Sequence, residues 1–370
     1  MEKKILVTQP HLPDRERFDH YVDQIWKNKW LTNDGELTRA FSEALRTKTG
    51  AAYTTLFVNG HLALETALQG MALSGEVITT PYTFVSTVNA IVRSGLTPVF
   101  CDIKESNLTI DESKIERLIT EKTCAILPVH VYGHCCNVER LQKIADKHGL
   151  KLIYDAAHAF GETLGGKSLV TYGDVSMVSF HATKIMNSIE GGALFFRDAE
   201  LEKRFCLLRN FGIEDENQIS CIGGNAKMNE FQAAMGLCNL PDLEKSIEKR
   251  KRITDHYRAR LEGKRGIHCF HPEQTADFKY NYSYMVILLD ERDFGATRDS
   301  VYEAMKADGI YTRRYFYPVV TSTAAYKSFD SGRTEIAKWA GDHILCLPDY
   351  DNLSENDVDR VCDALLKQQR

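Results

Sequence analysis

Short apolar runs alternate with amphipathic stretches through the first two-thirds of the chain. Residues 54–58, 76–79, 98–102, 125–131, 152–155, 175–180 and 193–196 form runs that are almost continuously apolar or β-branched. Runs of this length with little polar alternation are expected of strands buried on both faces. Between them, 112–120 and 138–148 carry the wider spacing of helices. The order predicts an α/β fold with a mostly parallel central sheet covered on both sides.

Near Leu240 the texture changes to a long charged helix. Leu240, Leu243, Ile247, Tyr257 and Leu261 fall roughly on one face, and Lys and Arg fill a solvated remainder. This helix predicts a bridge from a large domain, residues 1–238, into a smaller C-terminal α/β domain, residues 239–370. In the smaller domain, 284–289 and the segment around 311–317 read as strands of a separate sheet.

A chain of 370 residues can fill two cores of that size. Its formal net charge of −5 gives no electrostatic footprint for nucleic acid or an anionic membrane. No run approaches the length of a membrane helix, and residues 1–7 lack the apolar core of a signal peptide, so the cytoplasm is the expected location. The ten cysteines are irregularly spaced and contain no C-x-x-C pair. His130, His134, Cys135 and Cys136 have the makings of a zinc site. They read better as reduced structural residues in the loop that follows a strand, and no metal is expected.

Candidate chemistry centres on Ser179-Phe180-His181-Ala182-Thr183-Lys184, closed by Glu190-Gly191-Gly192. It sets one lysine in a short polar loop between two predicted strands. Most such lysines are only solvated, but burial or a nearby cation makes the amine nucleophilic toward an aldehyde. Asp155 ends the predicted strand 152–155, where open α/β sheets place ligand chemistry. A carboxylate there can bind a metal, cap the next helix or pair with a cationic ring nitrogen. In Val58-Asn59-Gly60-His61 a strand turns into a helix, and a helix N-terminus behind a glycine suits an anion. Phe84 offers an aromatic face to a flat cofactor, or else packs in the core.

Anion loop, aromatic face, acid at a strand end, then Ser179 and Lys184: in this order the chain resembles the DegT/DnrJ/EryC1/StrS family of nucleotide-sugar aminotransferases. These are pyridoxal 5'-phosphate (PLP) enzymes of fold type I. The likeness begins at Trp30-Leu31-Thr32-Asn33-Asp34-Gly35 and includes Asp155-Ala156-Ala157-His158 and Ser179–Lys184. It continues through Gly224-Asn225-Ala226-Lys227-Met228 with Gln232-Ala233-Ala234, and reaches 309–318.

The resemblance implies that Lys184 condenses with the PLP aldehyde and later moves the proton between donor and cofactor. It implies that Asp155 pairs with the pyridine nitrogen, Phe84 stacks on the ring and His158 lies near the ring hydroxyl. Ser179 and the amides around Gly60 and His61 would hold the phosphate, with His61 standing where relatives commonly have Thr or Ser. Asn225 matches a residue that reaches the phosphate of the neighbouring subunit, which implies a homodimer with shared sites. His181, Arg313 and Tyr315 match positions near the nucleotide sugar, with Arg314 as an alternative to Arg313. The segment through Trp30 either covers the sugar or belongs to the core.

The implied reaction moves an amino group from an amino acid, glutamate in many relatives, to a keto sugar carried on a nucleotide. A lysine at 184, where dehydrating relatives have histidine, favours transamination. His181-Ala182 and Glu190 look like enzymes that aminate C4 of a dTDP-linked 4-keto-6-deoxy sugar, in a pathway such as O-antigen or lipopolysaccharide synthesis. Amination at C3 or a UDP-linked substrate is the nearest alternative. A regulatory protein that binds PLP without turnover is a remote one, disfavoured by the intact Asp155, Ser179 and Lys184.

Overall fold

The protein is seen in a computed structural model that describes residues 3–270, 272 and 277–370. In chain order the large unit contributes β1 (Tyr53–Phe57), β2 (Glu76–Thr79), β3 (Thr97–Phe100), β4 (Thr123–Ile126), β5 (Lys151–Asp155), β6 (Thr163–Leu164), β7 (Lys167–Ser168), β8 (Val175–Ser179) and β9 (Gly192–Phe196). Seven of these form one sheet in the order β1-β9-β8-β5-β4-β2-β3. β9 runs antiparallel to both neighbours, and every other pairing in this sheet is parallel.

The near-continuous apolar runs follow from what covers this sheet. Along each central strand consecutive side chains point to opposite faces. Ile78, Ile126, Leu152, Val178 and Phe195 enter one core, and Val77, Ala125, Ile153, Met177 and Leu194 enter the other. The first core is closed by α1 (Arg15–Asn28), α2 (Glu36–Thr49), α5 (Val138–His148) and α7 (Glu230–Asn239). The second is closed by α3 (Gly60–Gly70), α4 (Val85–Arg93) and α6 (Ala199–Leu208). Each run predicted as a strand in this half of the chain falls on the sheet. The run 125–131 is strand only to Ile126; beyond it, Val129 bridges Asp155 and the chain turns at 131–133.

Helix α8 (Leu243–Leu261) buries Leu243, Ser246, Arg250, Ile253, Thr254, Tyr257 and Leu261, the spacing of one helical face. It leads to a second, antiparallel sheet, β10 (Ile267–Phe270), β12 (Met285–Leu289) and β13 (Ile344–Leu347), ordered β10-β12-β13. The units are interleaved rather than strung in series. Ile5 bridges Ile310 and lies in the C-terminal core, while β11 (Phe278–Lys279) pairs with β6 of the large unit.

Two predicted elements are corrected. Only a single 3-10 turn, Glu116–Leu118, forms within 112–120. The Asp111 carboxylate takes the amide and hydroxyl of Ser113 at 3.1 and 2.6 Å, and Glu112 is drawn to Lys104 at 3.0 Å. Such local bonds compete with the helical ladder. The segment 311–317 is not a strand either. It bridges the small sheet at Arg313 opposite Cys346, then leaves it, and its rings pack against Tyr82, Tyr132 and His158.

Candidate active site

The predicted residues meet at the carboxyl ends of the parallel strands. Asp155 ends β5, Ser179 ends β8, and Gly60 opens α3 directly after β1. Asn59 caps α3 by accepting from the Leu62 amide at 2.9 Å, which fixes the turn and leaves the first amides facing the cleft end of the sheet. A Cβ on residue 60 would stand 3.1 Å from Ser179 Cβ and 3.3 Å from its Cα, so the loop and the strand end are in close contact and a larger residue would crowd them.

Asp155 is buried and held from two sides. Its Oδ2 accepts from Thr87 Oγ1 at 2.7 Å, and its Oδ1 accepts from the Ala157 amide at 3.1 Å. Burial still raises its pKa, opposed by those two bonds and by the charge of Lys184. The carboxylate is thus short of positive charge.

Lys184 sits partly accessible in the loop after β8, and its Nζ donates to Tyr284 Oη at 3.3 Å. Desolvation pulls the amine down to about 8, with Asp155 pulling the other way. Near neutral pH an appreciable share is therefore uncharged and nucleophilic. His158 is buried with its Nδ1 accepting from the Tyr132 amide at 2.9 Å. Burial, then Lys184 and His134, push its pKa well below the imidazole range. The neutral ring that accepts at Nδ1 carries its proton at Nε2.

Other predicted positions are placed less centrally. Phe84 is not core: it is 58% exposed at the N-cap of α4, with its ring 6.5 Å from that of Phe316. The His61 ring is engaged by Ser86 Oγ at 2.9 Å and Glu65 at 3.5 Å. His181 shares its Nδ1 with Thr183 Oγ1 at 2.9 Å, its Nε2 lies 3.4 Å from Glu190, and its amide donates to Ser179 Oγ at 3.4 Å. Tyr315 stands edge-on to Tyr284, the hydrogen-bond partner of Lys184, at 6.2 Å. Arg313 is exposed, whereas Arg314 turns to Asp299 at 2.8 Å. Asn225 is exposed and accepts from Lys227 Nζ at 3.0 Å, and none of its hydrogen bonds reaches Lys184, Asp155 or Ser179. Trp30 is exposed, which removes the core reading for it.

His130, His134, Cys135 and Cys136 each have other work. The His130 ring stacks on Tyr154 at 4.7 Å, accepts from the Cys136 amide at 3.1 Å and is pushed down to about 3 by burial. His134 Nδ1 donates to the Asn107 carbonyl at 2.8 Å, and both thiols donate to backbone carbonyls.

Three contributors escaped the sequence reading. Thr87 lies one turn past Thr83, its hydrogen-bond partner at 2.8 Å, and the Thr-Phe-Val-Ser-Thr spacing was the available signal. Tyr132 and Tyr284 lie far apart in the chain, and no local pattern marks them.

The residues fit PLP. A helix start behind Gly60 that touches Ser179 suits a phosphate, and the buried carboxylate of Asp155 has the amine of Lys184 as its nearby cation. The chain matches the DegT/DnrJ/EryC1/StrS aminotransferase family over residues 13–366. It is 45% identical over 369 residues to the dTDP-4-amino-4,6-dideoxy-D-glucose transaminase of Escherichia coli, with 99% of each chain covered. The enzyme of that name from Shigella dysenteriae is 41% identical over 366 residues, again with 99% of each covered. The solved structure of DesI in the presence of its TDP-sugar product superposes with a TM-score of 0.94 at 34% identity, covering 99% of this chain and 93% of that one. The aminotransferases of this family depend on PLP. On sequence and fold alike, this chain belongs to the DegT/DnrJ/EryC1/StrS aminotransferase family.

Proposed function

We propose that the protein transfers an amino group from an amino acid, glutamate by preference, to C4 of a dTDP-linked 4-keto-6-deoxy sugar, using PLP held by Lys184. The reading rests on one observation above others: a lysine amine lowered by desolvation and a buried carboxylate raised by burial lie near enough that each shifts the other, Lys184 with Asp155. The choice of sugar draws on the E. coli and Shigella transaminases and on DesI, whose names or titles give dTDP- or TDP-sugars.

When bound, PLP supplies an electron sink for the carbanion formed at the carbon that loses or gains the amine. Asp155 would hold the ring nitrogen protonated, and the Nε2–H of His158 would donate to the ring oxygen. Ser179 with the amides at Gly60 and His61 would bind the phosphate, with Phe84 against the ring face. Lys184, once free, removes and returns the proton of the reacting carbon as general base and acid. His181, Arg313 and Tyr315 would contact the nucleotide sugar.

A homodimer accounts for Asn225, which is exposed and hydrogen-bonds to Lys227 rather than to its own chain's Lys184. Ile219 and Ile222, 74% and 97% exposed on the neighbouring loop, support a contact with a second copy. No helix among the described residues is long and apolar enough to cross a membrane. A cytoplasmic enzyme feeding a surface polysaccharide such as O-antigen is the setting we infer.

The test has two parts. Borohydride treatment of the protein loaded with PLP should fix the cofactor on Lys184, read by peptide mass spectrometry. In a separate, unreduced sample, glutamate and dTDP-4-keto-6-deoxyglucose should give a product whose new C4–N bond is seen by NMR. A label on another side chain refutes the assignment of Lys184, and an amine at C3 refutes the assigned position.

A further inference from the structure

Lys184 must leave the cofactor aldehyde during each half-reaction and stay within reach of the carbon whose proton it moves. A flexible amine released in a partly open cleft needs something to hold it. We propose that the Tyr284 hydroxyl is the resting partner of the freed Lys184 amine, a positioning residue that holds its nitrogen within reach of the carbon whose proton it moves. This inference rests on the transaminase reading above.

The geometry is specific. Lys184 Nζ lies 3.3 Å from Tyr284 Oη but 5.9 Å from the ring centroid, so the contact is with the hydroxyl and not the ring face. The ring itself is fixed. It packs against His158 at 4.8 Å and edge-on against Tyr132 at 5.6 Å and Tyr315 at 6.2 Å.

Its backbone is anchored to the turn that follows Asp155. The preceding Ser283 donates through its amide and hydroxyl to Asn281 Oδ1 at 3.0 and 2.7 Å. Asn281 Nδ2 in turn donates to the carbonyls of His158 and Phe160 at 2.7 and 3.0 Å. A phenol set this way keeps a constant position relative to Asp155 and His158 whatever Lys184 is doing.

The chemistry suits the task. Burial keeps the Tyr284 phenol protonated, so it meets the lysine as a neutral acceptor and not as an ion pair that would trap the ammonium. The protonated phenol accepts from the ammonium and can turn its own proton toward the neutral amine, the charge-assisted bond being the stronger, so the nitrogen keeps one position in either state. Lys184 keeps its mobility, because a single neutral hydrogen bond is worth only about 1 kcal/mol.

Tyr284→Phe removes one oxygen and leaves the ring packing in place. In the cofactor-free protein, the pH midpoint for carbamylation of Lys184 by cyanate, followed by mass spectrometry, should fall by about half a pH unit as an acceptor of the ammonium is lost. In the PLP-loaded protein, conversion by glutamate to the pyridoxamine form should slow at least about fivefold, with PLP affinity changed by less than about twofold. A purely structural tyrosine would move neither the midpoint nor the rate at constant affinity. If either the midpoint or the half-reaction rate is unchanged in Tyr284→Phe, the proposal is overturned. Failure of the underlying reading looks different: wild-type protein would give no borohydride-fixed PLP, while the cyanate titration would still report on the Tyr284–Lys184 contact.

Discussion

Thr87 Oγ1 donates to Asp155 Oδ2 across 2.7 Å, and the Thr83 hydroxyl lies 2.8 Å from the same Thr87 oxygen. The first turn of α4 thereby steers the carboxylate at the end of β5. Thr87→Val keeps the shape and removes the donor, leaving a buried carboxylate oxygen less satisfied. A bond to a charged group is worth about 1.5–3 kcal/mol, so PLP affinity should weaken by roughly tenfold or more. Thr87→Ser should stay near wild type. Fluorescence titration with PLP compares the three, and a Val variant that binds like wild type would show that Asp155 needs no steering.

Gly60 makes a second prediction. A methyl group there meets Met177 Sδ and Ser179 Cβ at 3.1 Å and Ser179 Cα at 3.3 Å. The neighbours include a strand backbone, so the strain cannot be relieved by a side-chain rotation alone. Gly60→Ala should cost about 1–3 kcal/mol in urea unfolding. It should also weaken PLP binding more than it weakens the protein, because it pushes the helix start away from Ser179.

Much of this was legible in the sequence, for a physical reason. A strand buried on both faces advertises itself as an unbroken apolar run, and Leu152-Ile153 before Asp155 is such a run. Lys184, Ser179 and Gly60 could be found because each sits at the junction of a run and a turn. Tyr284 could not, since its partner lies 100 residues away, and for Thr87, 68 residues from Asp155, the spacing from Thr83 was the one local signal. The 112–120 helix failed because Asp111 captured Ser113 first. Arg250 was read as part of a solvated face. It is fully buried, as only its distant carboxylate partners allow.

Glu230 is another residue whose role is invisible locally. It opens α7, yet its carboxylate accepts from the Leu37 amide at 2.8 Å, the Thr38 amide at 3.0 Å and the Thr38 hydroxyl at 2.5 Å. It caps α2, whose own N-cap, Gly35, offers no side chain. Glu230→Gln would turn a carboxamide NH2 toward N–H or O–H donors and leave one acceptor oxygen, costing about 2–4 kcal/mol. Gly35→Ala should be comparably harmful, since its Cβ would fall 2.4–2.7 Å from the same carboxyl group. Chemical denaturation measures both, and a Gln variant within about 0.5 kcal/mol of wild type would rule out the cap.

Arg250 of α8 donates from Nε to Asp351 Oδ1 at 3.1 Å, and Asp351 Oδ2 accepts from Ser246 Oγ at 2.6 Å. Asp349 is left outside this arrangement. Its Oδ2 is 3.9 Å from the guanidinium, and neither carboxylate oxygen has a hydrogen-bond partner among the described residues. Burial therefore pushes Asp349 up to about 7, while hydrogen bonds and the guanidinium overcome burial and hold Asp351 far below the usual carboxylate range. The signs are opposite. A raised acid binds more protons folded than unfolded, so the Asp349 contribution is whole below its unfolded pKa near 4 and is lost as pH climbs through 7. The Asp351 contribution is present above about 4 and lost on acidification. Asp349→Asn resembles the protonated side chain at every pH and removes the first dependence only. Relative to wild type, it should gain on the order of 1–4 kcal/mol between about pH 5 and pH 8. Plotting the difference between the two proteins cancels His130, Glu162 and Lys184, which titrate alike in both. A difference that stays flat over this range would mean that Asp349 is already ionised in the fold, with Arg250 shared between both aspartates.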